Sequence, residues 1–319
     1  MLSLRKLIDI AAQAGATAVK FQTFAANRLA TANAPKAAYQ KVGLPTEESQ
    51  RAMLERLELS PEAHRTLLRR CEDRAIMFLS SAFDEDAADL LDSLPVAAFK
   101  VPSGEITNLT LLQHIAAKRR PIIMSTGMAS LSEVVTAVDT LKAAGNSEIV
   151  LLHCLSSYPA DPAEVNLRAM QTMEKTCDVP VGFSDHTQGT AIALAAVALG
   201  ACVIEKHFTI DRKLPGPDQR ASLEPGELNS LVRDIRNIEA ALGDGQKISQ
   251  PSEIENRNLV RKSLAAARDL PAGATVQPAD LTTLRPGTGL APGMADQIVG
   301  RCLRVPVSMG KLIEWDMLV

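Results

Sequence analysis

His186 and His207 end two neighbouring apolar runs, VPVGFSDH and CVIEKHFT, with one helical stretch between them. On consecutive strands of a parallel barrel, that spacing sets both imidazoles at the same rim, near enough to share one ion. Two neutral imidazoles with no cysteine nearby suit Mn²⁺, Fe²⁺, Co²⁺ or Zn²⁺ and leave open positions for a substrate. Two histidines satisfied by hydrogen bonds at strand ends are the other reading of the same residues. Lys20 in VKFQ and Lys100 in FKVPSGE follow alternating apolar residues, so both aim inward, where an unpaired ammonium is costly to bury. With Ser81, Ser103, Ser125 and Ser184 they would cradle a phosphate and a carboxylate. Ion pairs with Glu105 or Glu205, or a Schiff base, are the competing roles. After the last run, PGPD shapes a turn that either directs Asp218 at the site or is turn chemistry alone. Glu224 and Glu227 read as helix-start acids, and His114 as a helix-surface residue.

These side chains need elements to carry them. Strand candidates at 18–24, 75–83, 97–105, 121–127, 149–158, 179–186 and 202–209 alternate with helices such as LSEVVTAVDTLKAAG and TAIALAAVALGA. Repeating βα units imply a parallel sheet, and this many imply a closed barrel with its active site at the carboxyl ends of the strands. The polar residues closing those strands, among them Gln22, Ser156, Tyr158, Asp185 and Glu205, then belong to the mouth. A standard barrel has eight strands, each followed by a helix. Here a helix beginning almost at Met1 precedes the first run, so the barrel's first strand is expected to be missing, leaving two unpaired edges. Residues 1–242 are read as the barrel, 243–262 as a polar linker and 263–319 as a small, loop-rich module. That module is short for a core of its own and is expected to dock on a larger surface.

Composition narrows the class. Apolar residues make up 46% and aromatics only 3%, so the core must come from Ala, Leu, Ile and Val, as suits buried parallel strands under Ala-rich helices. A net charge of −3 carries no footprint for nucleic acid or an anionic membrane. Five scattered cysteines without a C-x-x-C pair point to reduced thiols and a cytoplasmic protein. The N-terminus reads as an amphipathic helix rather than a signal peptide. The longest apolar stretch, 191–204, contains glycine and is too short to span a bilayer.

The motifs VKFQTF, KVPSGE, STGM, LLHC…YP, GFSDHT, EKHFT, PGPD and ASLEP stand in the order found in sialic acid synthases, and the RPGTG module resembles their antifreeze-like (SAF) domain. The chain resembles that family, in its N-acetylneuraminate and legionaminate branches, from about residue 4 to its end. The resemblance implies a (β/α)8 TIM-type barrel followed by a β-clip, antifreeze-like domain. It implies condensation of phosphoenolpyruvate with N-acetylmannosamine, assisted by Mn²⁺ (or Mg²⁺ or Co²⁺) on His186 and His207, with Glu105 joining the two histidines as a catalytic residue. Lys20, Ser81, Lys100, Ser103, Ser125 and Ser184 match the phosphoenolpyruvate pocket. Gln22, Tyr158 and Asp218 match the sugar side, and Arg285 matches an arginine that crosses to a partner in a domain-swapped homodimer. Three features depart from the pattern: the E-I-G-x-N-H-x-G stretch is not in the chain, Ser81-Ala82-Phe83 replaces T-P-F, and Gln219 stands where a histidine often follows G-P-D. The alternatives are a legionaminate synthase using a 2,4-diacetamido-trideoxy-mannose, a phosphoenolpyruvate-condensing barrel acting on arabinose or erythrose phosphates, and a catalytically impaired sugar-binding paralogue. The C-terminal module argues against the arabinose and erythrose enzymes.

Overall fold

Seven short runs pair side by side in chain order: β1 (Ala18–Thr23), β2 (Met77–Ala82), β3 (Phe99–Val101), β4 (Ile122–Ser125), β5 (Ile149–Cys154), β6 (Val181–Asp185) and β7 (Ile204–Lys206). All six pairings are parallel. Parallel neighbours need a crossover, and helices supply it. The computed structural model describes residues 2–41 and 48–319. In it, α1 (Leu2–Gln13) precedes β1, and α2 (Ala26–Leu29), α3 (Gln50–Glu55) and α4 (Pro61–Asp73) lead to β2. Single helices follow thereafter: α5 (Glu85–Asp92), α6 (Leu109–Ala116), α7 (Leu131–Ala143), α8 (Ala169–Cys177), α9 (Ala191–Ala198) and α10 (Pro225–Leu242). Ser60, Asp84, Asn108 and Ser130 start four of these helices by accepting a hydrogen bond from a first-turn backbone N–H. Glu224 and Glu227 form a capping box at the start of α10, and His114 pairs with Asp89 on the surface.

The core lies between the sheet and this helix layer. Phe21, Phe78, Phe99, Val101, Met124, Leu151 and Phe183 project outward to meet Leu67, Leu111, Ile115, Leu141 and Met173. Side chains alternate along a strand, so their neighbours Lys20, Ser81, Lys100, Ser125 and Ser184 point inward. Among the described residues no ladder joins β7 to β1, and the sheet is a curled, TIM-like half-barrel with two edges. Its inward edge residues are half-buried, whereas β2 to β6 are mostly buried. On the outer face, Thr23 Oγ1 lies 2.8 Å from His64 Nε2 and 2.7 Å from Ser80 Oγ, and His64 Nδ1 lies 2.9 Å from the Ser60 carbonyl.

The strands stop earlier than the sequence suggests. β3 ends at Val101 because Pro102 has no N–H to donate, and Ser103–Glu105 forms a 3-10 turn instead. β5 ends at Cys154, leaving Ser156 and Tyr158 on a loop.

The chain divides into two units, Met1–Gly243 and Asp244–Val319. In the second, β8 (Ser263–Ala266) and β9 (Leu281–Leu284) pair antiparallel, and α12 (Ala295–Ile298) follows. Contrary to the expectation from its length, the unit has its own apolar cluster, with Leu264, Leu270, Val276, Ile298, Leu303, Val307 and Ile313 buried. The stretch expected as a linker carries α11 (Ile254–Val260) and bonds within the same unit, Gly287 N donating to Asn258 O at 2.7 Å. Among the described residues no helix is long and apolar enough to cross a membrane.

Candidate active site

Two lysines converge on one carboxylate at the inner face. Glu205 Oε2 lies 3.4 Å from Lys20 Nζ and 3.8 Å from Lys100 Nζ, and Glu205 Oε1 accepts from Ser184 Oγ at 2.8 Å. Lys100 also donates to Ser125 Oγ at 2.6 Å and to the Val101 carbonyl at 3.1 Å. Burial pushes the Lys100 ammonium down to about 8, against the opposing pull of Glu205. Burial would raise the Glu205 carboxyl, but Lys100 and Lys20 prevail and hold it well below the usual range. Two ammoniums against one carboxylate leave the pocket net positive, which suits an anion.

Hydroxyls surround this charge. Ser81 is buried and pairs across the ladder with Gln22 on one side and Lys100 on the other. Ser103 Oγ accepts from Gly127 N at 3.0 Å. A Cβ at Gly127 would stand 2.2 Å from Ser156 Oγ, 2.9 Å from Ser103 Oγ and 3.3 Å from Cys154 Sγ. Glycine is therefore what lets these three groups approach. Cys154 corrects one expectation: its thiol lies 3.7 Å from His186 Nδ1, so a cysteine does stand beside the histidine pair. Burial raises that thiol, which keeps it protonated. Sequence separation concealed the contact, because Cys154 and His186 meet only through the β5–β6 register.

His186 and His207 come together as their spacing implies, with ring centroids 5.2 Å apart. His186 Nδ1 lies 2.8 Å from the Leu155 carbonyl, which leaves the Nε2 lone pair for a ligand. Burial, with the neighbouring His207, pushes His186 down to about 4. Burial, with Lys20, does the same to His207, again to about 4. Both rings are therefore neutral at pH 7, the form that binds a metal. Asp218 approaches His207 Nδ1 at 3.9 Å, and burial raises its carboxyl. Among the described residues no group of three or more His, Cys, Asp or Glu is arranged to hold an ion. Two neutral imidazoles with a free Nε2 on His186 are a donor set that could hold a divalent ion, its other positions left to water or substrate. Behind the pair, on the outer face, Lys206 Nζ donates to Asp185 Oδ2 at 2.7 Å, with side chains 3% and 0% exposed.

Aromatic rings build the far wall. Tyr158 lies 4.1 Å from His186 and 5.6 Å from His207. Tyr39, from the β1–α3 connection, stacks on Tyr158 at 4.7 Å. The sequence reading passed over Tyr39, which sits in a stretch without periodicity. It placed Glu205 at the mouth and as an ion-pair partner of the lysines but gave it no site role, although Glu205 stands two residues before His207 and so shares its face. Glu105 stands half-buried on the 3-10 turn that follows β3. Asn108 Nδ2 donates to it at 2.9 Å, and burial, with Asp84 and Glu85 nearby, pushes its carboxyl up. Arg285 lies in the second unit, exposed on a loop tied down by Ser263, whose hydroxyl donates to Pro286 O at 2.7 Å and accepts from Gly289 N at 2.9 Å.

A model of the NeuB family matches residues 7–247, and one of the SAF domain matches residues 261–319. The chain is 48% identical over 316 residues to the N,N'-diacetyllegionaminic acid synthase of Legionella pneumophila, spanning 98% of this chain and 89% of that protein. It is also 48% identical to the synthase of the same name from Campylobacter jejuni, spanning 93% and 90%. Among solved structures, the N-acetylneuraminic acid (sialic acid) synthetase of Leptospira borgpetersenii matches with a TM-score of 0.70 at 36% identity, over 81% of this chain and 87% of that one.

Proposed function

The chain belongs to the NeuB family of sialic-acid-type synthases, and from that premise we propose that it condenses phosphoenolpyruvate with a 2,4-diacetamido-trideoxy-mannose to give a legionaminate-type acid and phosphate. The resemblance read from the motifs put N-acetylmannosamine first. The balance of similarity, 48% to diacetyllegionaminic acid synthases against 36% to the N-acetylneuraminic acid synthetase, favours the diacetamido sugar instead. The observation that carries the chemistry is the Lys20–Glu205–Lys100 cluster, with Lys100 buried and the other two half-buried, beside two neutral imidazoles.

In this reading Lys20 and Lys100 hold the phosphate and carboxylate of phosphoenolpyruvate, with Ser81, Ser103 and Ser125 donating hydroxyls to the same oxygens and Ser184, whose hydroxyl donates to Glu205, lining the pocket beside them. Glu205 pairs with both ammoniums and opposes the burial that lowers Lys100. A divalent ion on His186 and His207, Mn²⁺ or in its place Mg²⁺ or Co²⁺, would polarise the sugar's aldehyde as a Lewis acid. Gln22, Tyr158 and Asp218 orient the sugar. Carbon 3 of phosphoenolpyruvate joins the aldehyde carbon, water enters at carbon 2, and phosphate leaves by C–O cleavage. Arg285 is assigned to the sugar's acetamido group in the site of a partner subunit, within a domain-swapped homodimer. A monomeric mass by light scattering would remove that role.

The test supplies Mn²⁺, phosphoenolpyruvate and either sugar, and measures phosphate. Release with the diacetamido sugar at higher kcat/KM than with N-acetylmannosamine is expected. Release with neither sugar overturns the reading.

A further inference from the structure

The stretch between α2 and Lys41 contributes more to the mouth than a link between elements requires. It carries Tyr39 on a turn whose conformation is held from within: Gln40 is buried, its Oε1 accepts from Ala37 N at 3.0 Å and from Gln50 Nε2 at 3.2 Å, and its Nε2 donates to the Tyr39 hydroxyl at 3.4 Å. That bracing seats the Tyr39 ring on Tyr158 at 4.7 Å and 30°, while the Tyr158 ring lies 4.1 Å from His186. The three rings form a ladder leading away from the histidine pair. Tyr39 is half-buried, so part of its surface stays accessible.

Resting on the function proposed above, we propose that Tyr39 is a specificity residue of the sugar site. Its ring is the outer apolar wall that selects a sugar carrying an acetyl methyl or a deoxy carbon at the end remote from its aldehyde. The aldehyde must sit by the histidines for polarisation there to matter. The rest of the open-chain sugar then runs outward past Tyr158 and meets Tyr39. An aromatic face rewards methyl and deoxy carbons and gives little to hydroxyls, which lose water without gaining a partner.

The experiment compares wild type with Tyr39→Phe, Tyr39→Leu and Tyr39→Ala, using Mn²⁺-loaded enzyme, phosphoenolpyruvate and two sugars, the 2,4-diacetamido-trideoxy-mannose and N-acetylmannosamine. Tyr39→Ala is expected to lower the kcat/KM ratio of the diacetamido sugar over N-acetylmannosamine by about tenfold, the effect of one lost aromatic contact. The loss should fall on sugar KM and leave phosphoenolpyruvate KM unchanged. Tyr39→Phe should keep the ratio, and Tyr39→Leu, which retains apolar volume, should fall between. An unchanged ratio in Tyr39→Ala, an equal rise in phosphoenolpyruvate KM, or a Phe variant as impaired as Ala overturns the proposal. Calorimetric titration of each sugar into the phosphoenolpyruvate-loaded proteins separates this inference from the reaction itself. If wild type binds the diacetamido sugar more tightly than Tyr39→Ala yet releases no phosphate, the specificity role stands and the synthase reading falls. If wild type binds neither sugar, both fall.

Discussion

Replacing Lys206 by Met tests how the histidine pair is held. Asp185 and Lys206 are cross-strand partners on β6 and β7, each directly preceding a histidine, and they face away from the mouth. Their contact of 2.7 Å corresponds to about 6 kcal/mol of attraction at an effective dielectric of about 20. Desolvating two ions offsets most of that, so the pair as a whole adds little stability. Removing one partner is a different matter. Lys206→Met keeps the aliphatic stem but leaves the Asp185 carboxylate, 0% exposed, with the Thr187 N–H at 2.8 Å as its one remaining hydrogen bond among the described residues. The expected cost is about 3–5 kcal/mol in urea unfolding. The ends of β6 and β7 also loosen, so Mn²⁺ affinity, measured by electron paramagnetic resonance on the free enzyme, should weaken by about 10–100-fold. The double variant Asp185→Asn/Lys206→Met, with no charge left to bury, should regain most of both losses. A single variant within about 0.5 kcal/mol of wild type, or a double variant no better than the single, would refute the reasoning.

Three further outcomes follow from the same geometry. Because Lys100 sits near 8 while free of substrate, kcat/KM for phosphoenolpyruvate should fall as pH rises through about 8, and Glu205→Gln, which removes the pull holding that proton, should move the fall to lower pH. Gly127→Ala thrusts a methyl among Ser103, Cys154 and Ser156, so it should raise phosphoenolpyruvate KM and cost about 1–3 kcal/mol of stability; unchanged kinetics would show that the hydroxyl cradle lies elsewhere. His64 is buried and its imidazole lowered by burial below the ordinary 6.5, so the stability it contributes is present above that value and is lost as pH falls below it, when the unfolded chain takes up a proton the native state refuses. His64→Gln should flatten that acidic limb of the urea midpoint measured against pH.

Much of this site was legible before any coordinates. Alternating apolar runs set the strand directions, and polar residues at their ends named the mouth, because a strand delivers every second side chain to one face. That rule places Lys20, Lys100, Ser125, Ser184, Glu205 and His207 inward without any knowledge of contacts. The bound of each strand was less legible. Pro102 shortened β3 and turned Ser103 and Glu105 onto a 3-10 segment, a local effect visible in the residue type but easily missed beside the apolar run.

What one dimension determined was therefore the repeating βα architecture, the faces of its strands and the kinds of chemistry carried there. Only the tertiary structure decided who meets whom. Lys20, Lys100 and Glu205 come from three strands far apart in sequence, and whether two ammoniums share one carboxylate depends on how tightly the sheet curls. Cys154 reaches His186 through strand register, and Tyr39 reaches Tyr158 through a braced loop with no periodicity to read. Periodicity is a property of one element alone. Contacts between elements depend on curvature, register and loop conformation, and those are settled only when the helices close over the sheet.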